Sequence, residues 1–173
     1  MKSDKTTLCY LERCNAQGVR EYLMLHRIKK DHDINKDKWI GIGGHFEDME
    51  SPDECMLREA KEETGLQLTE LKLRGIVTFI CGETCEYMHL FTSNEWQGEM
   101  TDCNEGVLEW LPRDRVYDLN LWEGDKIFFR LLEMDYPCFL LKLRYSVDGV
   151  LESATLDGKI VMWDEKTRKI IWQ

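Results

Sequence analysis

Apolar and polar positions follow two rhythms along this chain, one of period two and one near 3.6, and their order predicts the elements. Thr6 to Glu12 alternates as a half-buried strand does. Tyr22 to His26 is a second short strand, with Asn15-Ala16-Gln17-Gly18 as the turn signal between them. Lys29 to Lys38 is polar, charged and without apolar period, which predicts a loop. Trp39 to Ile42 reads as a short buried strand running into Gly43-Gly44. Leu68 to Cys81 reads as one long or broken strand, Gly82-Glu83-Thr84 as a turn, and Glu86 to Thr92 as the returning strand. Glu95 to Asn104 is a polar loop, and Gly106 to Leu111 is a strand closed by Pro112. Leu121 to Met134 carries apolar residues at helical spacing, with Glu123, Asp125 and Lys126 outside. Pro137 to Val147 and Val150 to Leu156 predict a hairpin around Asp148-Gly149. Lys159 to Gln173 alternates around Asp164-Glu165-Lys166-Thr167 and fits either a second hairpin or an interaction arm. Strands with helices inserted between them predict an α+β sandwich, its mixed sheet lying between helices.

The segment between these strands that carries most chemistry is a helix. Ser51 suits the N-cap, Pro52 the first helical position, and Glu54 the third residue of a capping box. Asp53 and Glu54 suit the positive end of the dipole, and Gly65 suits the stop. Met56, Leu57, Ala60 and Thr64 are the candidate core side. Glu59, Glu62 and Glu63, at spacings i, i+3 and i+4, share one face. Like charges at that spacing cost a few tenths of a kcal/mol per pair, roughly, and a cation reverses the sign. Carboxylate oxygens are hard ligands, so Mg²⁺, or Mn²⁺ in its place, is the natural guest. Arg58 lies beside Glu59 and four residues before Glu62, where a forked hydrogen bond can hold a carboxylate. A solvated acidic helix face is the plain alternative; the glycines and Glu50 at fixed distances weigh against it.

Composition narrows the partners. At 173 residues the chain suits one well-filled domain. Its formal net charge of −10 argues against long nucleic acids held through phosphates, while leaving a small polyphosphate whose charge a metal can neutralise. No apolar run reaches membrane-spanning length and the first residues lack a secretory pattern, so a cytoplasmic location is expected. Seven cysteines, without paired metal-binding spacing, read as reduced small core residues. Of the histidines, only His45 lies near the acidic helix, in a loop from which it could reach a phosphate. A monomer or a homodimer is compatible with these features.

Gly44, five residues, Glu50, seven residues, then Arg58-Glu59-Ala60-Lys61-Glu62-Glu63-Thr64-Gly65-Leu66 matches the Nudix box at every defined position, and the chain resembles Nudix hydrolases. Beyond the box it is similar to the MutT-like subgroup that hydrolyses oxidised purine nucleoside triphosphates such as 8-oxo-dGTP. Lys38 to Gly44, Leu121-Trp122-Glu123-Gly124-Asp125 and the hairpin from Phe139 to Leu156 carry that likeness, over about residues 6 to 158. It implies a Nudix domain spanning 1–158, with 159–173 as an extension packed on it. It also implies metal binding by Glu59, Glu62, Glu63, the Gly43 carbonyl and Glu105. Arg58 counts with the catalytic residues, and Glu59, Glu63 or Glu105 is the general base. Trp122 would stack on the base, Asp125 would bond its edge, and Phe79 would line the pocket, with Thr7, Arg27 and His45 at the pocket or phosphates. Three positions depart from the mammalian pattern: Ile40 replaces an Asn that reads the base, Gly124-Asp125 replaces two acids, and His45 replaces a Lys. The implied activity is release of pyrophosphate and a nucleoside monophosphate, as in nucleotide-pool sanitation. The rivals are another Nudix pyrophosphohydrolase, acting on ADP-ribose, a dinucleoside polyphosphate or an ordinary dNTP, and a non-catalytic nucleotide-sensing module.

Overall fold

The computed structural model of this protein describes residues 3–173. Its strands are β1 (Ser3–Cys14), β2 (Arg20–His26), β3 (Trp39–Ile40), β4 (Gln67–Leu68), β5 (Lys72–Cys81), β6 (Thr84–Ser93), β7 (Trp96–Gln97), β8 (Val107–Pro112), β9 (Phe139–Tyr145), β10 (Leu151–Leu156), β11 (Lys159–Asp164) and β12 (Lys169–Trp172). Two α-helices, α1 (Pro52–Thr64) and α2 (Asp125–Glu133), and a 3₁₀ turn at Arg113–Asp118 complete the set. The class is α+β, with mixed strand directions, since β5 and β9 run parallel while the neighbouring hairpins are antiparallel. No helix of the described residues is long and apolar enough to cross a membrane.

The chain divides into two compact units. One comprises Thr7–Lys72 and Phe91–Leu121; the other comprises residues up to Thr6, Leu73–Leu90 and Trp122–Gln173. In the first, β2 pairs with β1 and then β3 along one edge, and with β8 along the other, all antiparallel. The expected strand over Trp39 to Ile42 stops at Ile40. The chain then bends towards β1, where Ile42 and Cys9 exchange both backbone hydrogen bonds, at 2.7 and 3.0 Å. Helix α1 covers a core of Cys9, Leu11, Leu23, Ile42, Met56, Ala60, Leu66, Leu68 and Phe91.

Both ends of α1 form as the sequence predicts. The Ser51 hydroxyl accepts from the Glu54 amide, the Glu54 carboxylate accepts from the Ser51 amide at 2.9 Å, and Gly65 takes the left-handed stop at φ 77°. Leu57 is a correction: it is 39% exposed, and Cys55 and Glu63 are buried in the helix instead. At about 100° per residue, the buried arc sits a step towards the acidic stripe. The Leu68 to Cys81 run takes the broken form, as β4 and β5. One further expectation changes: the polar Glu95 to Asn104 loop contains β7, which pairs with β4.

In the other unit the strand order is β12-β11-β10-β9-β5-β6, with the first residues of β1 beside β6. The helix expected from Leu121 starts at Asp125 and buries Ile127, Phe128, Phe129, Leu131 and Leu132. The last residues form a hairpin, β11 and β12, whose Val161 is buried opposite Ala154 of β10. Cys9, Cys55, Cys81, Cys85 and Cys103 are buried and, with exposed Cys14 and Cys138, are free thiols.

Candidate active site

The acidic face of α1 stands against the bend after β3. Thr7 donates its amide to the Gly44 carbonyl at 2.9 Å, and its hydroxyl lies 3.5 Å from that oxygen and from Cys55 Sγ. Thr7 therefore fixes the glycine bend. Gly43, at φ 153°, must lack a side chain, since a Cβ there would sit 2.0 Å from the Thr7 carbonyl oxygen, whereas a Cβ at Gly44 would meet the Glu59 carboxyl at 2.5 Å and push it aside. The Gly43 amide donates to Glu63 Oε2 at 2.8 Å. The bend thus brings two peptide units onto two of the three helix acids.

Arg58 organises the rest of that face. Its Nε and Nη2 fork onto Glu50, at 2.6 and 2.9 Å; Nη1 reaches Glu59 at 2.7 Å and Glu62 at 3.2 Å; Nη2 also donates to the His45 carbonyl at 3.0 Å. Hydrogen bonds from Arg58, then from the Glu47 amide, bring Glu50 down to about 2. Glu50 in turn holds the Arg58 guanidinium charged well above its usual range. His45 is exposed and joins this network through its backbone.

Glu105, in the loop before β8, reaches the same group of acids. Its carboxyl lies near enough to Glu63 for its charge to raise that group's proton affinity. It also pairs with Arg27 and Lys30. Burial pushes Glu63 up to about 8, with the charges of Glu105 and Glu59 adding to it and the Gly43 amide opposing it. Arg27 makes a double contact to Asp33 at 2.6 and 2.7 Å as well as the Glu105 pair. Asp33 and Lys30 carry no motif, and in the sequence only the charge density of the Lys29 to Lys38 loop hinted at them.

Among the described residues, no three acids, histidines or cysteines already converge as a ligand set. Glu59, Glu62 and Glu105 are instead drawn to Arg58, Arg27 and Lys30. The donors themselves suit a hard divalent cation. Glu63 is a buried carboxyl that now gains by holding a proton, Glu59 and Glu105 lie close enough to raise it further, and all three offer oxygen only. A cation there would replace the proton and the guanidinium contacts.

The predicted base-reading residues lie in the other unit. Phe79, Trp122 and Tyr145 form an aromatic cluster with ring centres 5.0–5.1 Å apart. Trp122 is 7% exposed and Phe79 5%. The Tyr145 hydroxyl accepts from the Gly124 amide at 2.8 Å and so anchors the start of α2. Asp125 is the first residue of that helix and is buried.

The chain is similar to known proteins. The NUDIX domain family matches residues 4–132. An oxidized purine nucleoside triphosphate hydrolase of Danio rerio is 30% identical over 131 residues, covering 74% of this chain and 83% of that protein. An uncharacterized Nudix hydrolase of Bacillus subtilis, YvcI, is 28% identical over 68% of this chain and 77% of its own length. The crystal structure of a MutT protein from Bacillus halodurans superposes with a TM-score of 0.75 at 28% identity, covering 89% of this chain and 97% of that one.

Proposed function

From the premise that this chain belongs to the NUDIX family, we propose that it hydrolyses a nucleoside triphosphate, an oxidised purine such as 8-oxo-dGTP, to the monophosphate and pyrophosphate with Mg²⁺. The observation that carries this reading is the grouping of Glu59, Glu63 and Glu105 beside the Gly43-Gly44 bend, with Arg58 clamped on Glu50. Mg²⁺ bound there would supply charge neutralisation on the polyphosphate and acidify water. The residues holding it would be Glu59, Glu62, Glu63, Glu105 and the Gly43 carbonyl. Arg58 keeps Glu59 and Glu62 on the side of the bend. A glutamate of the group takes the proton from the attacking water. Glu63, whose burial and acidic neighbours favour the protonated form, would serve as that base if a bound cation held it ionised. Trp122, Asp125 and Phe79 are proposed to recognise the base. Trp122 would need to open a face of its aromatic cluster to do so.

The test is a screen of oxidised and ordinary nucleoside di- and triphosphates with Mg²⁺ or Mn²⁺, scoring pyrophosphate release. Glu62→Gln and Glu63→Gln are expected to fold and to lose about a hundredfold or more in turnover, since each 1.36 kcal/mol of barrier is about tenfold. Near-normal rates in both variants would remove the metal assignment.

Burial of Trp122 and the Ile40 departure favour a second reading, hydrolysis of another nucleoside diphosphate derivative such as ADP-ribose. Asp125→Ala separates the two. If Asp125 reads an oxidised purine, KM rises about tenfold, the loss of a charged hydrogen bond of roughly 1.5 kcal/mol, and selectivity falls. An unchanged substrate ranking supports the second reading.

A further inference from the structure

We propose that Arg27 is a positioning residue that holds the Glu105 carboxylate against Glu63, with Lys30 completing the hold. The proposal rests on the reading of Glu105 as part of the catalytic group.

Three acids share this corner of the unit, and Glu105 is the one carried on a loop. Without countercharges, Glu59, and Glu63 whenever it is ionised, would repel it towards solvent. The observed countercharges are Arg27 and Lys30, one on each Glu105 oxygen. Arg27 is itself fixed. Its side chain is 12% exposed and grips Asp33, 8% exposed, through Nε and Nη2, leaving Nη1 for Glu105. Its amide donates to the Lys38 carbonyl at 2.9 Å, and its own carbonyl accepts from Asp37 at 2.8 Å. Asp33 is held by its own turn, accepting from the Asn35 amide at 2.9 Å. The loop of Glu105 is tied to the same stretch: the Lys29 amide donates to the Glu105 carbonyl at 3.2 Å, and Lys29 Nζ to the Cys103 carbonyl at 2.6 Å. Residues 27–30 thus hold both the backbone and the carboxylate of Glu105. With its donors committed to two carboxylates, Arg27 acts through Glu105 and does not clamp phosphate. Only a fork can serve Asp33 and Glu105 together; a lysine supplies charge to one of them.

The experiment is a cycle of wild type, Arg27→Ala, Glu105→Gln and the double variant, with two readouts. The first is kcat and KM for pyrophosphate release from 8-oxo-dGTP, or from the best substrate of the screen above. Arg27→Ala is expected to lower kcat about tenfold or more, a single 1.36 kcal/mol step, with KM nearly unchanged. The double variant is expected to be no slower than Glu105→Gln alone, and Arg27→Lys to recover part of the rate. The second readout is the unfolding midpoint in EDTA, where the two single losses are expected to exceed the loss in the double variant. Losses that multiply in kcat, or midpoint losses that add, overturn the proposal while leaving Glu105 in its role. Normal turnover in Glu105→Gln overturns both the proposal and that role. Should Arg27→Ala fail to fold, Arg27→Lys takes its place in the cycle with the same two criteria.

Discussion

At Glu63 two demands oppose each other. Packing of α1 buries the carboxyl, and burial favours its neutral form; the proposed role of holding a cation requires the ionised one. In the metal-free protein its affinity for a proton rises from the ordinary 4.5 to about 8. Below 4.5 the carboxyl is protonated both folded and unfolded, so it sets no penalty there. As pH climbs from 4.5 towards 8, unfolding releases a proton that the folded chain retains, and stability drains away. In EDTA the unfolding midpoint should therefore fall between pH 5 and pH 8, and Glu63→Gln should flatten that fall. An equal slope in both proteins would show that Glu63 is not the group responsible. Glu50 has the opposite sign: its forked partner Arg58 favours the ionised form, a contribution present above 4.5 and lost as pH drops towards about 2.

At the scale of the element, α1 carries both core contacts and the acidic face. Its N-terminal cap sets where the helix begins; the surface it covers sends Met56 and Ala60 inward while Glu59, Glu62 and Glu63 pass from half-buried to exposed to buried. Ser51→Ala removes one side of the capping box and should cost about 1 kcal/mol. For a chain of this size that is a midpoint shift of about 2–4 °C by calorimetry. Turnover per folded molecule should stay close to normal, because the Gly43 and Arg58 contacts to the acids lie further along the helix. A large loss of activity would mean that the cap sets the site as well as the helix. The bend is less forgiving, because a methyl at Gly43 would lie 2.0 Å from the Thr7 carbonyl oxygen.

Across the whole molecule, the acid group and the Arg27 and Arg58 networks are completed inside one compact unit, and the aromatic cluster of Trp122 inside the other. The last hairpin belongs to the second unit. It pairs β11 with β10, buries Val161 and joins α2 through the Lys126–Glu165 ion pair at 2.5 Å. Ending the chain at Gly158 would uncover Val161's neighbours Ala154 and Leu156, each buried now. Loss of apolar burial worth about 2–3 kcal/mol should lower the midpoint by roughly 5–10 °C. An unchanged midpoint would mark the hairpin as a detached arm.

By itself the sequence determined what is local. The capping box and Gly65 stop act within a few residues, so α1 was readable to its ends, and with it the acidic face that carries the family resemblance. The β9–β10 hairpin around Asp148-Gly149 was readable for the same reason. Tertiary structure decided whatever depends on partners distant along the chain. It turned Leu57 out and Glu63 in, because the rotation of a helix is fixed by the surface it covers. It cut β4 from β5 by pairing β4 with β7. It gave Arg27 to Asp33 and Glu105, 78 residues apart for the latter pair. Charge pairing at such separations leaves no spacing in the sequence, because the loops that create it are placed by the strands between them.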